Sequence, residues 1–287
     1  MGLLSLSAMT TGLSQMTSDP HLSKSQEEIL VITGEDLRHQ YFVNRVNAHF
    51  PLAAVLTETT AYPTPPAASE EEKKAWDWFF TRRAQCESKV FGAVNKPLNQ
   101  PPVIKIPKGQ LNSPETLKII KRFNPGFIAI FGIGMLRENL LSQFPGRIFN
   151  LHVGLPGFYR GSSCNFWPIY EKQLDKLGAA VHLTNEGIDK GQIAAQAAIE
   201  LDCKDDEQSL ACKTLLVGVQ LMIATITNWQ HKTLNLSPLT KPGKLYLRKE
   251  FTPHSVLRVR QMVESGELTH QLKLIKERKF QTEREKI

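Results

Sequence analysis

The apolar pattern opens with Ile29, Leu30, Val31 and Ile32, stops at Thr33 and Gly34, and gives way to a helix-permissive stretch over residues 35–46. A short apolar run bounded by glycine predicts a buried strand, and a second run, Leu52 to Leu56, predicts completion of a βαβ unit. Prolines break residues 61–66, after which residues 70–90 return to helical spacing with Trp76, Phe79, Phe80 and Val90 among charges. Residues 61–100 therefore read as an insertion. Val103, Ile104 and Ile106 predict a short strand, Ser113 and Pro114 the capped start of a helix running to Phe123, and Phe127 to Phe131 another buried strand. Three more apolar runs, residues 147–152, 179–183 and 192–199, are separated by turns and by a short helix over residues 167–176. Leu210 to Trp229 reads as one long helix packed on the sheet, and Leu245 to Leu247 as an extended stretch. Residues 253–265 and 268–284 follow as helices. This alternation predicts an α/β protein, a Rossmann-like doubly wound, mostly parallel sheet with a short helical C-terminal extension.

Composition changes this picture little. The 287 residues are 41% hydrophobic and 22% charged, and no uninterrupted apolar run approaches the roughly 20 residues that span a bilayer, so a soluble, cytoplasmic protein without a membrane partner is expected. The net charge of +7 is concentrated at the end of the chain, where Lys273, Lys276, Arg278, Lys279, Arg284 and Lys286 alternate with Glu277, Glu283 and Glu285 around Leu268, Leu272 and Ile275. That pattern fits a solvated helix with one apolar edge better than a nucleic-acid surface, because interleaved aromatics are missing. Cys86, Cys164, Cys203 and Cys212 form no CxxC pair and no Cys/His ligand spacing, which argues against a disulfide framework or a metal site. Residues 1–27 lack the basic and apolar regions of a secretory signal and read as a disordered leader.

Candidate chemistry begins at Asn150-Leu151-His152, at the end of a predicted strand, where a two-residue spacing turns both side chains to one side of the sheet. Such a pair alone fits a structural histidine as well as a site. A second segment, residues 181–193 (VHLTNEGIDKGQI), places Asp189 in a glycine-flanked loop, 37 positions after His152. Alone, that aspartate reads as a turn residue.

Together, the Asn-x-His segment with its following LP and YRG (residues 150–161), then VH and EGIDxGxI, resemble the signature of the folate-dependent formyltransferase superfamily. That superfamily includes glycinamide ribonucleotide, methionyl-tRNA and nucleotide-sugar N-formyltransferases. The resemblance covers about residues 28–228 and is strongest over 125–199. It implies a catalytic domain over residues 28–230, followed by an extension over 231–287, and 10-formyltetrahydrofolate as formyl donor with no metal. It also implies Asn150, His152 and Asp189 as the catalytic trio. The chemistry suits them: an amine attacking the formyl carbon generates an oxyanion, for which the Asn150 amide and an imidazolium at His152 are donors, while Asp189 orients the imidazole and relays protons.

The same resemblance places the pterin between Phe131, Gly132, Ile133, Gly134, Met135 and Leu136 and the loop of Asn185, Glu186, Gly187 and Ile188. Read without it, the Phe131-Gly-Ile-Gly run is equally an ordinary strand-to-helix turn. Gly154, Tyr159, Arg160, Gly161, Asn165 and Trp167 are candidates for contacts to the amine, with Phe166 and Trp167 also readable as core.

A small amine, best an amino sugar linked to a nucleotide, is the expected acceptor. The acidic pair Glu35-Asp36 after the first strand disfavours a ribose phosphate, and the region after the long helix holds too few strand signals for a tRNA-binding barrel. Glycinamide ribonucleotide or methionyl-tRNA remain alternatives, as does hydrolysis of formyltetrahydrofolate, although no regulatory domain is expected before the first strand. A homodimer is left open.

Overall fold

The computed structural model describes residues 28–59, 65–92 and 100–284; the expected leader and the ends of the expected insertion lie outside them. The chain runs β1 (Ile29–Thr33), α1 (Leu37–Asn47), β2 (Leu52–Glu58), α2 (Glu70–Phe91), β3 (Val103–Ile106), α3 (Pro114–Arg122) and β4 (Phe127–Phe131). It continues through α4 (Glu138–Leu141), β5 (Ile148–His152), β6 (Tyr159–Gly161), α5 (Trp167–Tyr170), β7 (Gly178–Leu183) and β8 (Ile193–Ala198). The last elements are α6 (Glu207–Gln230), β9 (Lys244–Tyr246), α7 (Pro253–Glu264) and α8 (Glu267–Arg284).

Seven strands form one sheet in the order β3-β2-β1-β4-β5-β7-β8, parallel from β3 to β5 and antiparallel at β5-β7 and β7-β8. Alternation along β1 and β4 explains the two packed layers. Ile29, Val31, Phe127 and Ala129 face α1 and α6 through Phe42, Val46 and Val219, whereas Leu30, Ile32, Ile128 and Ile130 meet Ile120 and Leu140 of α3 and α4. A third cluster, with Trp76, Phe79, Phe166 and Val259 among its members, joins α2 to α5 and α7.

Local sequence sets the helix starts. Ser69 and Ser113 accept the amide hydrogens of Glu72 and Thr116, and Asp206 with Ser209 and Thr252 with Ser255 form reciprocal caps. The expected insertion is thus centred on a regular helix, α2, that packs against α1, α6 and α7. Within the expected C-terminal extension, β9 pairs with β6 in parallel and α7 packs on α2.

One sequence expectation needs correction. Although no unbroken apolar run is that long, α6 as a whole is long and apolar enough to cross a membrane. In this fold it packs on β7 and β8, with Leu210, Leu215, Val219, Met222 and Ile226 buried.

Candidate active site

The chain order leaves β1 outward toward β3 and returns to the other side at β4, so the carboxyl ends of β1 and β4 form a topological switch point, where open α/β sheets bind ligands. A cavity of about 500 Å³ opens there, lined by His39 after β1, by residues 131–136 after β4, and by Asn150 and His152 at the end of β5. Residues 184–189 close another wall. Every candidate pterin contact, Phe131 to Leu136 and Asn185 to Ile188, lies on this cavity. Glu58 shapes the first of these loops: its buried carboxylate accepts Gly134 N–H at 2.7 Å and Gly109 N–H at 3.1 Å.

Asn150, His152 and Asp189 come together, and a fourth residue joins them. The antiparallel register of β5 and β7 places His182 opposite Asn150, and His182 Nε2 lies 3.1 Å from both Asn150 Nδ2 and Asp189 Oδ1. His182 Nδ1 faces the Leu183 carbonyl oxygen at 3.1 Å, an acceptor only, so Nδ1 carries a hydrogen. Nε2 then accepts from the Asn150 amide in the neutral ring and donates to Asp189 in the charged one. Asn150 Nδ2 also lies 3.4 Å from Asp189 Oδ1. The sequence reading quoted His182 within a motif but gave it no role; the signal that finds it is its register against Asn150.

Asp189 sits at a φ of +46°, and its Oδ2 accepts Gly161 N–H at 2.7 Å while lying 3.4 Å from His152 Nδ1. Gly161 is itself at φ +92°, and a Cβ there would stand 2.1 Å from the Tyr246 carbonyl oxygen, so only glycine brings this N–H to the carboxylate. Burial opposes the charged form of Asp189, yet the His152 ring, His182 and the Gly161 N–H together hold its carboxyl far below the usual carboxylate range. For His152 burial prevails over the nearby carboxylate and lowers its pKa, giving a carboxylate beside a neutral imidazole. His152 Nε2 lies 3.1 Å from the Tyr159 carbonyl oxygen, so that nitrogen carries the hydrogen and Nδ1 is the position open to protonation. Burial pushes the Cys164 thiol well up, away from nucleophile chemistry.

Of the candidate amine contacts, Gly161 and Asn165 line the cavity; Gly154, Tyr159, Arg160 and Trp167 stand behind it. Arg160 donates to the carbonyl oxygens of Ile188 and Gly243, both at 3.0 Å, and so ties down the loop that carries Asp189. Tyr159 donates to Glu171 at 2.8 Å, and the Trp167 ring stacks on Tyr246 with centroids 4.1 Å apart while donating to Ser162 O. Gly154 lies so close to His152 that a Cβ would stand 2.7 Å from its Nε2.

The acidic pair after β1 does not stand bare either. Asp36 is paired with Arg38, and Glu35 lies 3.4 Å from Lys105, so the expected repulsion of a phosphate there is largely neutralised.

A model of the formyl transferase family matches residues 70–226, more than half of the chain. The chain belongs to the formyl transferase family. Among curated relatives, methionyl-tRNA formyltransferase of Finegoldia magna is 28% identical over 124 residues, 42% of this chain and 39% of its own length. Chloroplastic phosphoribosylglycinamide formyltransferase of Arabidopsis thaliana is 26% identical over 125 residues, 40% of this chain and 43% of its own. This chain thus spans about two fifths of the length of these relatives. Among solved structures, a sugar N-formyltransferase from a Shewanella species aligns with a TM-score of 0.54 at 14% identity, covering 81% of this chain and 87% of that one. The N-formyltransferase of Helicobacter canadensis, solved with folinic acid and dTDP-3-aminofucose, gives 0.52 at 14% identity over 80% and 79% of the two chains. At such identities these likenesses show the formyltransferase fold alone.

Proposed function

We propose that this chain is a 10-formyltetrahydrofolate-dependent N-formyltransferase acting on a small amine, best a nucleotide-linked amino sugar. The observation that carries the reading is the cluster of Asn150, His152, His182 and Asp189 on the cavity at the switch point. It is supported by family membership and by the folate-bound and sugar-nucleotide-bound relative of the same fold. The loops of residues 131–136 and 184–188 would hold the pterin, largely through backbone groups.

The amine nitrogen attacks the formyl carbon, the tetrahedral intermediate forms, and the bond from that carbon to the folate N10 breaks. A proton leaves the attacking nitrogen and one ends on N10. Asn150 keeps one amide hydrogen within the cluster and has a second for the developing oxyanion. With its carboxyl pKa so low, Asp189 is a weak base; it attracts the N–H of the attacking amine and passes the proton to Nδ1 of neutral His152, which returns it to N10. His152 thereby acts first as proton acceptor, whereas the sequence reading gave it a charged, oxyanion-binding part.

The test is to incubate the protein with 10-formyltetrahydrofolate, alone and with dTDP- and UDP-linked amino sugars, glycinamide ribonucleotide or methionyl-tRNA, and to follow tetrahydrofolate release. Release that depends on an amino sugar supports the reading. Release without any amine supports hydrolysis instead, and no release in any arm removes the transferase assignment.

A further inference from the structure

The cavity has a second end that the chemistry above leaves unused. There α2 supplies Phe79, Phe80 and Arg83, α6 supplies Gln208 and Ala211, and Phe251 lines the cavity against Phe79. Phe79 and Phe251 pack edge to face, and the Arg83 guanidinium lies 4.6 Å from the Phe80 ring centre, which fixes its plane at the wall.

Two polar features point to a ligand here. Buried side-chain atoms are normally satisfied, and among the described residues Gln208 Nε2 is one of four that have no partner. Gln208 is 2% exposed yet lines the cavity, so a molecule seated there can supply the acceptor its amide lacks. Among the described residues, Arg83 in turn has one carboxylate contact, Nε to Glu87 at 3.9 Å, while Arg38 holds that same carboxylate at 3.0 Å and 3.3 Å. The Arg83 side chain is 36% exposed on the cavity wall, and with so little neutralisation its guanidinium is open to an anionic group.

Aromatic walls, an amide hydrogen without an acceptor and an under-paired arginine each select a different part of one kind of molecule: a flat ring, a ring carbonyl and a phosphate. We propose that the chamber between α2 and α6 binds the nucleoside diphosphate portion of the acceptor, with Arg83 on the diphosphate and Gln208 on a carbonyl of the base. This rests on the transferase reading, and it gives α2 the task of selecting the acceptor while the loops of residues 131–136 and 184–188 hold the donor.

The experiment titrates the full chain by calorimetry with dTDP, thymidine and inorganic pyrophosphate, and separately with 5-formyltetrahydrofolate, for the wild type, Arg83→Gln and Gln208→Leu. The expected result is saturable dTDP binding that Arg83→Gln and Gln208→Leu each weaken tenfold or more. Pyrophosphate binding should respond to Arg83→Gln alone, thymidine binding to Gln208→Leu alone, and 5-formyltetrahydrofolate should bind all three proteins equally, which also shows that the variants are folded. Folate binding without dTDP binding, or dTDP binding indifferent to both substitutions, overturns the inference and leaves the transferase reading standing. Absence of folate binding in the wild type removes both.

Discussion

Asp189 has a left-handed backbone, which costs roughly 1–3 kcal/mol in strain and persists here because three hydrogen-bonding neighbours, Gly161, His182 and Asn150, over-determine it. Asparagine tolerates that backbone region better than most residues, so Asp189→Asn is expected to fold while losing the charge. Formyl transfer in a single turnover should fall by about 10²–10⁴-fold, with 5-formyltetrahydrofolate affinity within a few-fold of wild type. Near-normal turnover would remove the role given to Asp189. His152 makes a separate pH prediction. Because burial pulls its pKa below the ordinary histidine value, the acid limb of kcat/KM should be centred below that value of about 6.5. An acid limb centred at or above pH 7 in a full pH profile would mean that another group controls the step.

At the scale of elements, two buried carboxylates fasten the cavity walls. Glu58, at the end of β2, fixes the loop after β4 through Gly134 N–H, so Glu58→Ala should raise the dissociation constant for 5-formyltetrahydrofolate roughly tenfold, equivalent to one strong hydrogen bond, without an equal fall in the rate of bound complex. Unchanged folate affinity would separate that loop from the donor site. Arg82 on α2 meets Glu207 at the start of α6, with Nε to Oε1 at 2.5 Å, and the Glu207 side chain is only 1% exposed. Arg82→Ala strands that carboxylate and should cost on the order of 2–4 kcal/mol by urea unfolding, a loss that adding Glu207→Gln should partly restore. Most elements were legible because the strands of the large sheet are bounded runs of mostly apolar residues and α2, α3, α6 and α7 start at side-chain caps. What escaped the sequence was pairing. Asn150 and His152 share a face by strand periodicity, but the partnership of Asn150 with His182 depends on β7 running antiparallel to β5, which no local pattern encodes. Likewise, residues 159–161 were visible as a motif but not as a strand, because β6 exists only through β9, which returns some 80 residues later. Tyr159, Arg160 and Trp167 were selected for chemistry near the trio and instead brace it from behind, since an aromatic or arginine beside a motif looks the same whether it faces the cavity or the core.

For the whole molecule, the site's composition sets how stability responds to acid. His39 is buried beside Phe131, with Nδ1 accepting Asp36 N–H, and burial followed by the fields of Arg38 and Arg83 lowers its pKa well below the ordinary value. His152 is lowered by burial as well. In the unfolded chain both rings take up a proton near pH 6.5, whereas in the folded protein they resist it, so below that pH the unfolded state binds more protons and stability falls as pH falls. Each ring contributes up to about 1.4 kcal/mol per pH unit until its folded pKa is reached. Asp189 acts in a lower window: its depressed folded pKa stabilises the fold above the unfolded value near 3.9, and that contribution is lost as pH drops further. Two losses are therefore expected, one starting near pH 6.5 from the histidines and one below about pH 4 from the carboxylate. Urea midpoints measured at pH 7.5, 6.0 and 5.0 should decline across the first window, and His39→Gln, which keeps an acceptor for Asp36 N–H but cannot titrate, should decline about half as steeply. A wild-type midpoint that holds constant from pH 7.5 to 5.0 would show that the two rings titrate as they do in the unfolded chain, and with it would go the picture of a neutral imidazole poised beside Asp189.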